Sequence, residues 1–335
     1  MVKPILSPDL SLPPHPPQTA FAIADEMAQV DRVIHSRLKS DVVLINQIAQ
    51  YIITAGGKRL RPQLVLYFAN ALGYHGPARW EMAAIVEFIH TATLLHDDVV
   101  DESELRRGKQ TANAMFGNAA SVLVGDFLYS RAFQMMVNIN SLRVLEVLAD
   151  ATNVIAEGEV LQLMNMHDPD LSVQDYLKVI RFKTAKLFEA SARLGAVLAQ
   201  TPTHIEEACA GFGRALGTAF QLVDDLLDYE GNTQELGKNI GDDLREGKPT
   251  MPLLMAMEKG SDEDRALIRE VIQQGQVERL QQVIEIVRRT GALEATRAAA
   301  RVEAEYATGQ LQHLPDSPAR QSLLDLCTRS LNRSS

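Results

Sequence analysis

Between Leu94 and Asn113 the sequence reads LLHDDVVDESELRRGKQTAN. Five acids, Asp97, Asp98, Asp101, Glu102 and Glu104, fall within eight positions and are followed at once by Arg106, Arg107 and Lys109. On a helix Asp97 and Asp101 project together, and like charges one turn apart cost about 0.2–0.5 kcal/mol. Acids in a last helical turn also oppose the helix dipole, by about 0.3–1 kcal/mol. Such a cluster calls for cations to complete it. The same DDxxD pattern returns in GTAFQLVDDLLDYEG, where Gly217, Gln221, Asp224, Asp225 and Asp228 share one face of a second apolar helix. Two acidic clusters that end two buried helices differ from one solvated acidic helix end. Mg²⁺ prefers oxygen ligands and is usually held by one or two carboxylates together with substrate phosphates. Carboxylates on two helices facing one cavity would hold a small group of Mg²⁺ ions against a diphosphate.

The basic residues fall into complementary places. The stretch GGKRLRP offers a flexible backbone, then Lys58, Arg59 and Arg61, then Pro62 at the expected first position of a helix, which together make an anion site. Arg106 and Arg107 follow the first acidic cluster, Lys183 and Thr184 open the helix KTAKLFEASARL, and Lys238 and Lys248 lie in a long loop. Any one of these alone reads as a solvated surface charge. As a set they predict two phosphate sites.

The elements that must position these residues are helices. With 335 residues, 46% hydrophobic content and few aromatics, the chain shows helical periods far more often than strand alternation, which predicts an all-α domain of roughly ten to twelve helices over residues 19–335. In WEMAAIVEFIHTATLLHDDVVDE, Ile85, Phe88, Ala92, Leu95 and Val99 form a core stripe, while Val86, Ile89, His90, Thr93, Asp97 and Asp101 share another face. The charged, Gly-rich run from Tyr229 to Thr250 is too long for a mere connection and predicts a flap. Residues 1–18 are Pro-rich and read as a disordered tail without signal-peptide features.

A formal charge of -10 excludes a nucleic-acid footprint, and no uncharged apolar run approaches the ~18 residues of a membrane span. Cys209 and Cys327, the only cysteines, suit a reducing compartment, so a soluble cytoplasmic protein is expected. Gly213 and Gly217 suggest close helix packing. Glu157, Glu159 and Gln162 fit either a cavity wall or a polar helix face, and His96 is expected to be a hydrogen-bonded helix residue and not a metal ligand.

From about Ile52 to the C-terminus, through GGKRLRP, EFIHTATLLHDDVVDE, NAASVLVGD, VIAEGEVLQLMN and GTAFQLVDDLLDY, the chain resembles the trans-type (E) polyprenyl diphosphate synthases, head-to-tail prenyltransferases. The likeness is closest to the bacterial members that make octaprenyl chains. It implies a single helical bundle of the isoprenoid-synthase type around a central cavity, usually a homodimer, that condenses isopentenyl diphosphate onto an allylic diphosphate primer with three Mg²⁺ ions. By that resemblance Asp97 and Asp101 hold Mg²⁺ with Asp98 in support, and Asp224, with Asp225 and Asp228, holds a further ion. Lys58, Arg61, His90 and Arg107 match positions that bind isopentenyl diphosphate. Arg106, Lys183, Thr184, Gln221, Lys238 and Lys248 match positions around the allylic diphosphate, with Arg106, Lys183 and Lys238 counted among the catalytic groups. Neither acidic motif departs from the family pattern.

Product length is read on the same helical face. Below Asp97 come Thr93, Ile89 and Val86, with Ala92 beside Thr93, where short-chain relatives place an aromatic floor. Small residues there imply a deep tunnel, closed from another helix by Phe133, Met135 or Met136, and a product near eight units, as for a ubiquinone side chain. The alternatives are a solanesyl or a shorter-chain synthase, or a noncatalytic subunit of a heteromeric enzyme. A terpene cyclase would replace the second DDxxD with an Asn/Ser/Glu pattern.

Overall fold

The computed structural model describes residues 23–54, 56–106, 108–230, 241–275 and 277–333. The Pro-rich stretch of residues 1–18 lies outside them, as do Arg107, Lys238 and residues 231–240 of the predicted flap. The chain runs α1 (Ile23–Arg37), α2 (Val43–Thr54), α3 (Leu60–Ala71), α4 (Ala78–Val100), α5 (Ala112–Phe116), α6 (Asn118–Asn138), α7 (Leu142–Asn165) and α8 (Val173–Ile180). A π-helical turn, Arg181–Ala185, joins α8 to α9 (Lys186–Leu198), and α10 (Thr203–Glu230) follows. The remainder is α11 (Asp242–Arg245), α12 (Met251–Lys259), α13 (Asp262–Gln274), α14 (Leu280–Arg289), α15 (Ala292–Gln310) and α16 (Pro318–Leu331). One element departs from the all-α expectation: Leu105–Arg106 and Lys109–Gln110 pair as a two-residue antiparallel ribbon, turning at Gly108 with φ +73°.

Short polar residues set the helix starts. The hydroxyls of Ser141, Ser172 and Ser261 accept from Val144, Asp175 and Asp264 N–H groups at the starts of α7, α8 and α13, each satisfying a donor the helix leaves open. Helix α3 begins at Leu60, two residues before Pro62, because Arg59 takes a left-handed conformation (φ 46°) and ends the GGKR turn. Pro62 thus sits inside the first turn, where its missing N–H is still harmless.

Helix α4 is buried on both predicted faces, since Val86 and Ile89 are as fully enclosed as Ile85, Phe88, Ala92 and Leu95. It lies in the centre of an apolar cluster with α1, α2, α6 and α7, and each large side chain buried there contributes about 1.5–3 kcal/mol. Helix α10 is the second central rod, packed along α9 and α15. Two glycines allow the close approaches that shape the cavity. A Cβ on Gly217 would come 2.7 Å from Ala185 Cα, so α10 runs directly against the π turn. A Cβ on Gly158 would come 2.6 Å from Lys183 N, so α7 presses on the same turn from the other side.

Candidate active site

The C-terminal ends of α4 and α10 face a common cavity of about 150 Å³. Asp97 and Asp101 line it from α4 and Asp225 from α10, with Lys183 and Thr184 from the π turn, Gln221, and Lys248 after α11. The extra residue of a π turn shifts side chains off the normal helical register, which turns Lys183 and Thr184 together into the cavity.

The first acidic motif meets a cation at each aspartate. Lys248 Nζ donates to Asp101 Oδ2 at 2.9 Å, and Lys183 Nζ lies 3.6 Å from Asp97 Oδ1. Asp98 is fully buried and points elsewhere, accepting from Arg106 Nε at 2.8 Å. Burial raises the Asp98 pKa, with Arg106 opposing. Burial pulls the Lys183 ammonium down, yet Asp97 and Glu159 more than offset it, so it stays charged.

The second motif is treated differently. Asp225 is buried, and its oxygens accept from neutral donors: Gln221 Nε2 to Oδ1 at 2.8 Å and the Tyr176 hydroxyl to Oδ2. Burial, then the charge of Asp243, lifts its pKa to about 8. Asp228, also buried, accepts from Asp243 N–H at 3.3 Å. Asp224 Oδ1 lies 3.4 Å from Arg333 Nη2 near the C-terminus.

The remaining expected residues separate into a second group. Arg61 packs 4.4 Å over the Phe188 ring and its Nη1 lies 3.2 Å from His90 Nε2, while Lys58 is exposed on the turn before α3. Among the chain-length candidates, Ile89, Ala92, Met135 and Met136 share one buried apolar cluster, and Thr93 is half-buried. Phe133 stands apart from that cluster: it is 38% exposed on α6, its ring 5.7 Å from that of Tyr129. His96 hydrogen-bonds toward Val122 O at 3.2 Å, as a helix residue.

Gln162, which the sequence left between cavity wall and polar face, lines the cavity, and Glu159 accepts from Lys183 Nζ at 2.6 Å, with burial and the Asp97 charge raising its pKa to about 7. Tyr176, Asn165 and Asp243 also line the cavity and went unnamed in the sequence. Tyr176 precedes Lys183 by seven residues, a spacing of two helical turns that could have flagged it.

The family comparison decides what this cavity belongs to. The profile described as Polyprenyl synthetase matches residues 42–287. The chain belongs to this family. It is a polyprenyl diphosphate synthase, a prenyltransferase. It is 55% identical over 311 residues to the octaprenyl diphosphate synthase of Escherichia coli, covering 92% of this chain and 96% of that protein. It is 45% identical over 312 residues to the all-trans-nonaprenyl-diphosphate synthase of Rhodobacter capsulatus, covering 93% and 96%. The fold superposes with a TM-score of 0.90 on the crystal structure of a polyprenyl synthase from Caulobacter crescentus complexed with calcium and isoprenyl diphosphate, at 44% identity, covering 95% of this chain and 100% of that one. No helix among the described residues is long and apolar enough to cross a membrane.

Proposed function

We propose that the protein condenses several isopentenyl diphosphates head-to-tail onto an allylic diphosphate primer, yielding octaprenyl diphosphate. One observation carries the reading: carboxylates from the ends of two helices, Asp97 and Asp101 on one and Asp225 on the other, line a single cavity with Lys183 and Lys248. The donor set suits Mg²⁺, three ions per site by the family resemblance, since the acidic groups that line the cavity offer carboxylate oxygens and Asp225 meets them from the opposite helix. Among the described residues no three acidic, His or Cys side chains form a ready-made cage, which agrees with ions shared between protein and phosphates. Asp97, Asp101 and the second motif, Asp224, Asp225 and Asp228, would hold them. When bound, Mg²⁺ neutralises the charge that builds on the departing diphosphate.

This chain's own residues do the rest. Lys183, Lys248 and Arg106 supply fixed positive charge, worth most in an enclosed site of low dielectric. Thr184 and Gln221 orient the allylic diphosphate. Lys58 and Arg61 at the start of α3 and His90 on α4 bind isopentenyl diphosphate, whose double bond attacks the allylic carbon as its C–O bond breaks and diphosphate leaves; the released diphosphate then takes the proton whose loss restores the alkene. Arg107 and Lys238 complete the two sets by family resemblance.

The small pair Ala92 and Thr93 above Ile89 supports a long product, and Met135 and Met136 are the candidates for its floor. A homodimer is supported by outward apolar side chains on α6 and α7, among them Leu123, Val137, Leu142, Val160 and Leu163, each at least 58% exposed. Cytoplasmic residence suits Cys209 and Cys327, both buried and unpaired. Incubating the purified protein with labelled isopentenyl diphosphate, a farnesyl primer and Mg²⁺, and sizing the dephosphorylated products, should give mainly eight-unit chains. Met135→Ala or Met136→Ala should lengthen them. A mainly nine-unit product would favour the solanesyl alternative, and no elongation by the protein alone would overturn the reading.

A further inference from the structure

We propose that Tyr176 is a positioning residue for the diphosphate site, acting through Asp225, Gln221 and Thr184. The inference rests on the metal-dependent reading of the cavity and deepens it. Tyr176 sits on α8, 4% exposed, and its hydroxyl donates to Asp225 Oδ2 across a sequence separation of 49 residues. The other carboxylate oxygen accepts from Gln221 Nε2 at 2.8 Å. That bond fixes which way the Gln221 amide faces, because its NH₂ must point at Asp225 and its Oε1 must point away. Oε1 then accepts from Thr184 Oγ1 at 3.0 Å, on the π turn beside Lys183.

One phenol therefore sets the orientation of three cavity side chains on two further elements. It holds the carboxylate plane of Asp225 with one hydrogen bond per oxygen, leaving each oxygen a lone pair for a cation. Among the described residues no cation pairs with Asp225, in contrast to Asp101 and Asp98, and these two neutral donors set its direction. Outer hydrogen bonds of this kind orient ligands, and their loss weakens metal binding by about 10- to 100-fold. Without the phenol hydroxyl, Oδ2 is buried without a donor and the carboxylate is free to rotate, which also releases the Gln221 amide.

The test is calorimetric titration of the intact protein with Mg²⁺ and inorganic pyrophosphate, wild type against Tyr176→Phe, which deletes one oxygen and no methylene. The expected result is a Kd for Mg²⁺-pyrophosphate raised by about 10-fold or more in Y176F. In turnover, KM for the allylic diphosphate should rise while KM for isopentenyl diphosphate holds within about twofold, a split that general loosening of the fold would not produce. In an Asp225→Asn background Y176F should cost little more, since the two act as one unit. If Y176F does not fold, Gln221→Met, which strips the other oxygen of the same carboxylate, should show the same rise in Kd. Equal binding by wild type and variant, or a full Y176F effect in the D225N background, would overturn the inference while leaving the proposed function standing. No binding by the wild-type protein itself would overturn the proposed function and this inference with it.

Discussion

The two DDxxD motifs carry the same acidic pattern in the sequence and sit in opposite electrostatic settings. Each aspartate of the first is met by a basic side chain: Lys183 beside Asp97, Arg106 on Asp98 and Lys248 on Asp101. In the second, the buried Asp225 accepts from a phenol and an amide and the buried Asp228 from a backbone N–H. Asp224 lies beside the Arg333 guanidinium. Each aspartate of the first motif thus has a cation beside it before any ligand arrives, with Lys183 and Lys248 shared with Glu159 and Glu246. The second retains a carboxyl whose pKa is lifted to about 8, and it stands to gain most from a divalent cation. Identical motifs acquire different tasks from the elements packed against them.

The largest expected effect is on turnover. Asp101→Asn removes a cavity carboxylate and leaves the Lys248 ammonium facing Glu246 alone, and kcat/KM should fall by about 10³-fold. Asp225→Asn should cost about 10²-fold. Steady-state kinetics on both variants sharpens the comparison, and a D101N enzyme within tenfold of wild type breaks it.

Stability should move in opposite directions. The folded-state pKa of Asp225 lies above its ordinary value of 3.8, so between about pH 4 and pH 8 the native state binds more protons than the unfolded one. Stability from this group therefore falls as pH rises through that window. D225N removes the penalty and should raise Tm at pH 7.5 by about 2–4 °C per kcal/mol recovered, whereas D101N breaks an ion pair and should lower it. Thermal melts from pH 5 to 8.5 test both signs. A D225N protein less stable than wild type at pH 7.5 would contradict the assignment.

Metal binding carries the same signature more weakly. A cation at the cavity favours ionised Asp225 and Glu159, whose pKa values are raised to about 8 and about 7, so binding should release protons. Affinity for Mg²⁺-pyrophosphate should climb as pH rises toward 8 and then level off, measured by titration in buffers of different ionisation enthalpy. Smallest of all is Arg333→Ala. Its contact with Asp224 is 3.4 Å long and its guanidinium lies 4.2 Å over the Phe220 ring, and the loss of stability should stay within about 2 kcal/mol in a denaturation series.

What the sequence made legible was local. Spacing put Asp97 with Asp101 on α4 and Gln221 with Asp225 on α10, and the apolar runs around them marked both helices as buried. The start of α3 was misplaced by two residues because a left-handed Arg59 is not written in residue types. Tyr176 and Asp243 were invisible as site residues, and Glu159 stayed undecided between cavity wall and polar face, because their roles come from contacts between elements tens of residues apart. The π turn at Arg181–Ala185 likewise has no sequence period to betray it, although it aims Lys183. Phe133 and Met136, three residues apart on α6, share a helical pattern and still differ in burial, 38% exposed against none.

The central claim is that both acidic helix ends grip one diphosphate through divalent ions. Anomalous diffraction from crystals grown with Mn²⁺ and inorganic pyrophosphate tests it most directly. The account predicts manganese peaks bridging pyrophosphate oxygens to Asp97 and Asp101 on one wall and to the second motif on the other. Peaks confined to one motif, or pyrophosphate bound away from the cavity between them, would contradict it.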